Sequence, residues 1–277
     1  MAGKKKDTSL LHHLIGSRSL VWNLAKNDIK KKFAGSYFGV VWAFVQPVIT
    51  VLLYWFVFEK GLNSKATDLR TGIEIPFVLW LTAGLVPWFY FQEALNGGTG
   101  VLVEYSYLVK KVVFQIDMLP VVKMISALFT HLFFVAFTIV LFICMGYMPD
   151  WYALQVIYYS FCMILFATGL VYATSAVTVF FRDMKEVVGI LLQIGMWVTP
   201  IMWTFATLVQ IPGWAITVLK LNPMYYIVSG YRNALINHIG FWEDMGLTVY
   251  FWVVTAVLLF LGTTVFKKLR PHFADVL

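Results

Sequence analysis

Long apolar runs alternate with short polar breaks along the 277 residues of this chain. Six runs stand out, at about 37–58, 76–95, 119–145, 151–181, 187–204 and 245–266. They approach or exceed the roughly 20 apolar residues that cross a ~30 Å hydrocarbon core. Hydrocarbon offers no partner to a free backbone N–H or C=O, so only helices or closed barrels span it. The strict alternation of a barrel strand is absent, and six transmembrane helices are expected. Pro47, behind Gln46, predicts a kink in the first, and Pro87 lies inside the second. Asn96-Gly97-Gly98-Thr99-Gly100 predicts the end of the second through backbone freedom. Residues 205–244 fit no single span, because Pro212-Gly213, Lys220, Asn222-Pro223 and Arg232 punctuate them. They predict two re-entrant half-helices, about 206–219 and 223–237, dipping in from one side, which is tolerated where protein buries them.

Two further segments are patterned but too polar for lipid. In 17–33, Val21, Ala25, Ile29 and Phe33 share a stripe, flanked by Trp22 and Leu24, while Lys26, Lys30 and Lys31 occupy the other face. That predicts an amphipathic interface helix with Trp22 at headgroup depth. Asp28 and Lys32 intrude on its apolar side, and binding to another protein is the competing use of this face. In 103–118, VEYSYLVKKVVFQIDM, a helix places Tyr107, Val109-Lys110 and Phe114 on one mixed face, with Glu104 and Asp117 at the ends. The expectation is a short cytoplasmic helix through which a separate protein delivers force. An ordinary interfacial loop helix is the alternative.

Composition agrees with a membrane chain: 60% of residues are hydrophobic and 13% charged, against about 25% charged in soluble domains. Charge position then tests the span count. Six spans put both termini on one side, together with all but five of the 21 Lys and Arg. Lys60, Lys65, Arg70, Lys220 and Arg232 fall on the other. A seventh span through 205–237 would send Lys267, Lys268 and Arg270 across, so the bias favours six spans with both termini cytoplasmic. No internal repeat divides the chain. Residues 1–36 read as a cytoplasmic tail and interface helix, and 37–277 as one transmembrane domain. The start, MAGKKKDTSLLHHLIG, lacks the apolar core of a cleavable signal. Cys144 and Cys162 lie in apolar runs and read as packing residues.

The chain carries no G-x-x-x-x-G-K-[ST] loop for ATP, and no His/Cys spacing suited to a metal. His131 alone among the histidines lies in a span, where packing is favoured over a proton relay. Arg182-Asp183 with Lys185-Glu186 crowds four charges into one turn, read either as a cytoplasmic contact or as a solvated loop. Glu93, late in the second span, needs a partner or a polar passage, and Trp88 and Tyr90 beside it are candidate passage residues. Trp42, Trp80, Trp88, Trp151, Trp203, Trp214 and Trp242 fit interfacial aromatic belts.

Several stretches together resemble the ABC-2 type permeases that export cell-surface polysaccharides. They are SYFGVVWAFVQPVITVLLYWFVF in the first span, VTVFFRDMKEVVGILLQIGMWVTPIMW at the fourth-to-fifth junction, and LKLNPMYYIVSGYRNAL before the last span. YWFVFEKGL, IPFVLWLTAGLVPWFY and RPHFADVL look most like the wall teichoic acid branch of that family, with O-antigen or capsule export as the alternative. The resemblance implies a homodimer working with two copies of a separate nucleotide-binding ATPase, which would hold ATP and Mg. It implies a bacterial cytoplasmic-membrane location and a polymer on undecaprenyl diphosphate, with no nucleic-acid partner. It assigns 17–33 as the interface helix and the stretch after the second span as the coupling helix. Glu104, Tyr105, Tyr107, Lys110, Phe114, Arg182 and Asp183 then become candidate ATPase contacts. Lys26, Lys30, Lys31 and Lys32 become candidates for the diphosphate headgroup, though positive-inside bias explains them equally. A membrane-embedded glycosyl- or acyltransferase is the reading from another class; it would have only Glu93, His131 and Asp117 for acid–base work.

Overall fold

The structure is a computed structural model, and it describes residues 18–32, 34–110, 115–205 and 212–277. Helix α1 runs Arg18–Lys32. A 3-10 turn at Gly39–Val41 leads into α2, Trp42–Trp55, which holds Pro47 and continues as a π-helical turn through Gly61. A small antiparallel hairpin follows, β1 at Ala66–Thr67 and β2 at Glu74–Ile75, with Ala66 opposite Ile75. Then come α3, Phe77–Thr99, the short helices α4, Val101–Glu104, and α5, Ser106–Val109, and α6, Met118–Cys144. Asp150 caps a 3-10 turn that opens α7, Gln155–Phe180, by accepting from the Tyr152 N–H. The rest is α8, Met184–Val198; α9, Gly213–Lys220; α10, Pro223–Arg232; α11, Met245–Leu269; and α12, Phe273–Val276.

Among the described residues, four stretches are long and apolar enough to cross a membrane: Trp42–Gly61, Met118–Cys144, Trp151–Phe180 and Met245–Val276. Helix α3 is the centre of the molecule. It is buried on nearly every side from Phe77 to Leu95 and packs on α6, α7, α8 and α10. The closest pair is α7 with α11, where Gly169 and Gly262 bring the two backbones together. A Cβ on Gly262 would stand 2.0 Å from the Gly169 carbonyl oxygen. Small residues permit such approach where lipid offers no hydrophobic drive between helices.

Several boundaries differ from expectation. Helix α3 ends inside the Asn96–Gly100 stretch as expected, but only at its last residues: it stays helical through Thr99 and Gly100 caps it. A Cβ on Gly98 would meet Val171 at 2.4 Å, so that glycine serves helix contact, not helix termination. Of the single helix expected over 103–118, the described residues up to Lys110 form two short pieces, broken at Tyr105, and 111–114 lie outside the described residues. The fifth apolar run forms helix only over Met184–Val198. It stops at an extended Thr199 (ψ 130°), because the proline that follows disfavours the helical region there. Of the first half-helix, residues 206–211 lie outside the described residues, and helix begins at Gly213. The second starts where predicted: the Asn222 side chain accepts from the Met224 N–H and Pro223 takes the first position, a strong helix start. Its helix becomes a π-turn over Asn233–Asn237.

The packing gives the molecule two polar ends. At one, Val21 and Ala25 of α1 pack on Met118 and Val122, and Phe273 of α12 packs with Leu102, Tyr105 and Leu119. Both described terminal segments therefore lie at this end. At the other, the Leu69 N–H donates to Asn237 Oδ1 at 3.0 Å, and His238 Nδ1 lies 2.8 Å from Asp150.

Candidate functional site

The site begins with the residue that spoiled the helical pattern. Val21, Ala25 and Asp28 form the buried stripe of α1, at 4%, 0% and 5% exposure. Asp28 is not a flaw in an apolar face but the polar end of it. Its Oδ1 lies 2.6 Å from Lys123 Nζ of α6 and accepts from the Tyr105 hydroxyl at 2.9 Å. Lys123 also reaches Glu104 of α4 at 2.8 Å. Lys31 stands over the Tyr105 ring at 5.2 Å, within cation–π range. Burial first, then its bond to Asp28, pushes the Tyr105 hydroxyl well above the ordinary phenol range, so it remains a donor at any physiological pH. Four turns of chain, from α1, α4, the break at Tyr105 and α6, thus end on one small cluster.

Beside the cluster, a groove of about 760 Å³ runs between α1, α2, α3 and α6. Gln46, Pro47 and Thr50 form one wall and Ser126 and Thr130 another, with Gln92, Glu93 and Asn96 between them. Lys32 crosses its mouth to Glu93 at 2.6 Å. Lys31, Lys32 and Lys123 face Asp28, Glu93 and Glu104, so the charged lining is balanced and not simply basic.

The expected site residues divide accordingly. Lys31, Lys32, Glu93 and Glu104 line the groove. Lys26 and Lys30 are exposed, and Lys26 lies 5.2 Å over the Trp22 ring. Trp22 itself is half-exposed and packs at a tilt against Phe129, ring centroids 5.3 Å apart. Trp88 and Tyr90 do not line this groove: both are buried in the core, with the Tyr90 hydroxyl turned to the Met124 carbonyl. Trp80 is buried too, so it and Trp88 leave the belt that Trp151, Trp214 and Trp242 still fit by their exposure. Tyr105, expected as a surface contact, is 2% exposed and points inward. Tyr107 and Lys110 face outward, and Phe114 lies outside the described residues. Arg182 and Asp183 are exposed, and Lys185 of the same turn packs its aliphatic chain toward Gly100. The charged turn therefore lies beside the start of α4.

The three acid–base candidates are not gathered. Glu93 pairs with Lys32, Asp117 with Arg270 at 2.7 Å, and His131 Nε2 lies 3.1 Å from the Tyr231 hydroxyl and 3.2 Å from Ser160 Oγ. Reading the sequence for chemistry undervalued two residues. Lys123 lies near the start of the third apolar run and carries no local motif, and Arg232 reads as an interruption of residues 205–244. Arg232 is buried and donates to the carbonyls of Trp80, Pro200 and Ile201.

The family model for the ABC-2 type transporter matches residues 19–236 of the chain, which hold α1, the α4–α5 segment and the groove beside them. The chain belongs to the ABC-2 type transporter family. As an ABC-2 chain it is a transporter component and not an enzyme by family. Its relatives include the O-antigen export system permease protein RfbA of Myxococcus xanthus, 25% identical over 266 residues, which are 96% of this chain and 98% of that protein. Two proteins of the same name from Klebsiella pneumoniae are 22% and 21% identical over 258 residues, covering 92% of this chain and 93% of each. The likeness thus runs through the whole ABC-2 region, the α1 helix and the α4–α5 segment included.

Proposed function

We propose that this chain is the membrane subunit of an ATP-driven exporter that moves a lipid-linked cell-surface polysaccharide across the bacterial cytoplasmic membrane. One observation carries the reading: near full-length likeness to permeases named for O-antigen export, in a chain without a P-loop. The names favour an O-antigen-type polysaccharide over the wall teichoic acid suggested by YWFVFEKGL and RPHFADVL. The polymer enters on undecaprenyl diphosphate, and two copies of this chain work with two ATPase subunits that hold ATP and Mg. Binding and hydrolysis there bias a two-state membrane element here.

Six spans with both termini cytoplasmic are part of this reading. The placement of both described terminal segments at one end supports an even number of crossings. At that end lie α1 with its lysines, the α4–α5 segment, the Arg182–Glu186 turn and the basic end of α11. It is the cytoplasmic end by the positive-inside rule.

The test is to co-express the chain with the P-loop ATPase encoded beside it, purify the complex, and reconstitute it with lipid-linked O-antigen and, separately, lipid-linked teichoic acid. ATP-dependent appearance of polymer in the far leaflet, greater for O-antigen, is expected. A purified chain that transfers sugar unaided would overturn the exporter reading, and preference for teichoic acid would overturn the substrate assignment.

A further inference from the structure

Lys123 belongs to a span, yet the interface helix α1 and the α4–α5 segment, which faces the ATPase in the reading above, both end on it. Its Nζ is 2.6 Å from Asp28 of α1 and 2.8 Å from Glu104 of α4. Tyr105 closes the ring, with its hydroxyl on Asp28 and its ring 5.6 Å from the Lys123 ammonium. The Lys123 and Asp28 side chains are only 13% and 6% exposed. A pair so placed is asymmetric. Intact it adds little net stability, but separating it strands a desolvated charge. Elements joined this way move together. The contrast is Lys65–Glu74, where both side chains are more than 60% exposed and separation is nearly free.

We propose that Asp28, Lys123 and Glu104 form a transmission tie. It makes α1 and the α4–α5 segment one rigid unit, so that a push on the segment is delivered to the mouth of the groove. The delivery point is Lys32, one helical turn beyond Asp28 on the same face, where it meets Glu93. The Lys32–Glu93 pair is 49% and 26% exposed, so it is the weaker of the two links and yields first. Lys123 acts through Asp28 and Glu104 and is a positioning residue. The inference rests on the exporter reading and adds the route by which force reaches the passage.

The test uses the full complex with its ATPase in proteoliposomes. Lys123→Met and Asp28→Asn each raise the ATP hydrolysed per polymer exported, by about tenfold for a coupling of ordinary size. The double variant is no worse than either single one. Loss of export and hydrolysis in equal proportion would mean that the pair only holds the fold, and would overturn the tie. Should Lys123→Met fail to assemble, Tyr105→Phe removes one oxygen and keeps the packing; a rise of about threefold is expected, and no change overturns the proposal. A second readout needs no polymer. Spin labels at Asn27→Cys and Ser106→Cys, with Cys144→Ser, keep one separation with and without ATP in the otherwise native chain, and the separation shifts on ATP in Lys123→Met. A native separation that shifts on ATP overturns the tie, whereas a constant separation without export counts against the exporter reading alone.

Discussion

The guanidinium of Arg232 lies 3.3 Å from the centroid of the Trp80 indole. The same guanidinium donates to the Pro200 and Ile201 carbonyls, at 2.5 and 2.7 Å, and to the Trp80 carbonyl at 3.3 Å. One side chain thereby pins the end of α10 to the start of α3 and to the chain leaving α8. A charge inside a membrane protein persists where protein groups replace its water, and the flat fork of arginine meets several carbonyls at once. Arg232→Met should destabilise the folded chain by on the order of 3 kcal/mol, as expected for bonds to a charged group. Arg232→Lys should recover less than half of that. Gly84→Ala should act at the same place, since its new Cβ would stand 2.6 Å from Arg232 Nη2. Thermal unfolding in detergent, followed by tryptophan fluorescence, checks all three.

The contact of α7 with α11 makes a sharper demand. At Gly169 a Cβ would meet the Leu258 carbonyl carbon at 2.7 Å, and at Gly262 it would meet the Gly169 oxygen at 2.0 Å. Both obstacles are backbone and cannot rotate away. Gly262→Ala should force the helices apart and lower the yield of monodisperse protein severalfold, an overpacking penalty of about 1–3 kcal/mol. Gly189→Ala, with open space around the new methyl, is the control and should leave the elution profile unchanged.

Four of the six expected spans were legible because hydrophobic length reports lipid directly: helices long and apolar enough to cross coincide with the runs at 37–58, 119–145, 151–181 and 245–266. The interface helix was legible as a helix, from Val21 and Ala25. Its polar anchor, Asp28, was hidden, because periodicity can only score it as an error. The partners of Asp28 are 77 and 95 residues away, and no local pattern announces them. Tyr105 and Trp88 were misplaced for a related reason. Aromatic residues suit interfaces and cores equally well by composition, and neighbours distant in sequence decide between them. The stop predicted for Asn96–Gly100 falls at its end and not at Gly98, because the flexibility that ends a helix in solvent also admits a neighbouring helix in a core.

At the far end, Asp68 supplies a pH handle. Burial alone would raise its carboxyl. The Thr71 hydroxyl at 2.6 Å and the N–H groups of Arg70 and Thr71 outweigh that and hold it below the ordinary range. The folded value is thus lower than the unfolded one. The stabilisation is fully present above the unfolded value near 4 and is lost as pH falls through the folded value. Amide exchange at residues 69–73 should therefore accelerate below about pH 4 beyond its intrinsic pH dependence. In Asp68→Asn the loop should already be loose at pH 7 and lose that acid step. An unaltered acid profile in the variant would assign the effect to another group.

Tyr105 and Tyr107 stand two residues apart and face opposite ways, at 2% and 52% exposure. Substitution should therefore separate folding from coupling. Tyr107→Ala removes a side chain that makes little contact inside the chain. Stability should change by less than about 0.5 kcal/mol, while polymer export by the complex should fall at least about tenfold for a coupling contact of ordinary size. Tyr105→Ala empties a site packed against Leu102, Val109 and Leu119 and strips Asp28 of a donor. A loss of about 3 kcal/mol is expected, in the range for truncating a buried aromatic. Unfolding midpoints and export rates measured on the same preparations give the comparison. Equal loss of stability in the two variants would show that the outward face of α5 belongs to the fold, and would remove Tyr107 from the ATPase surface.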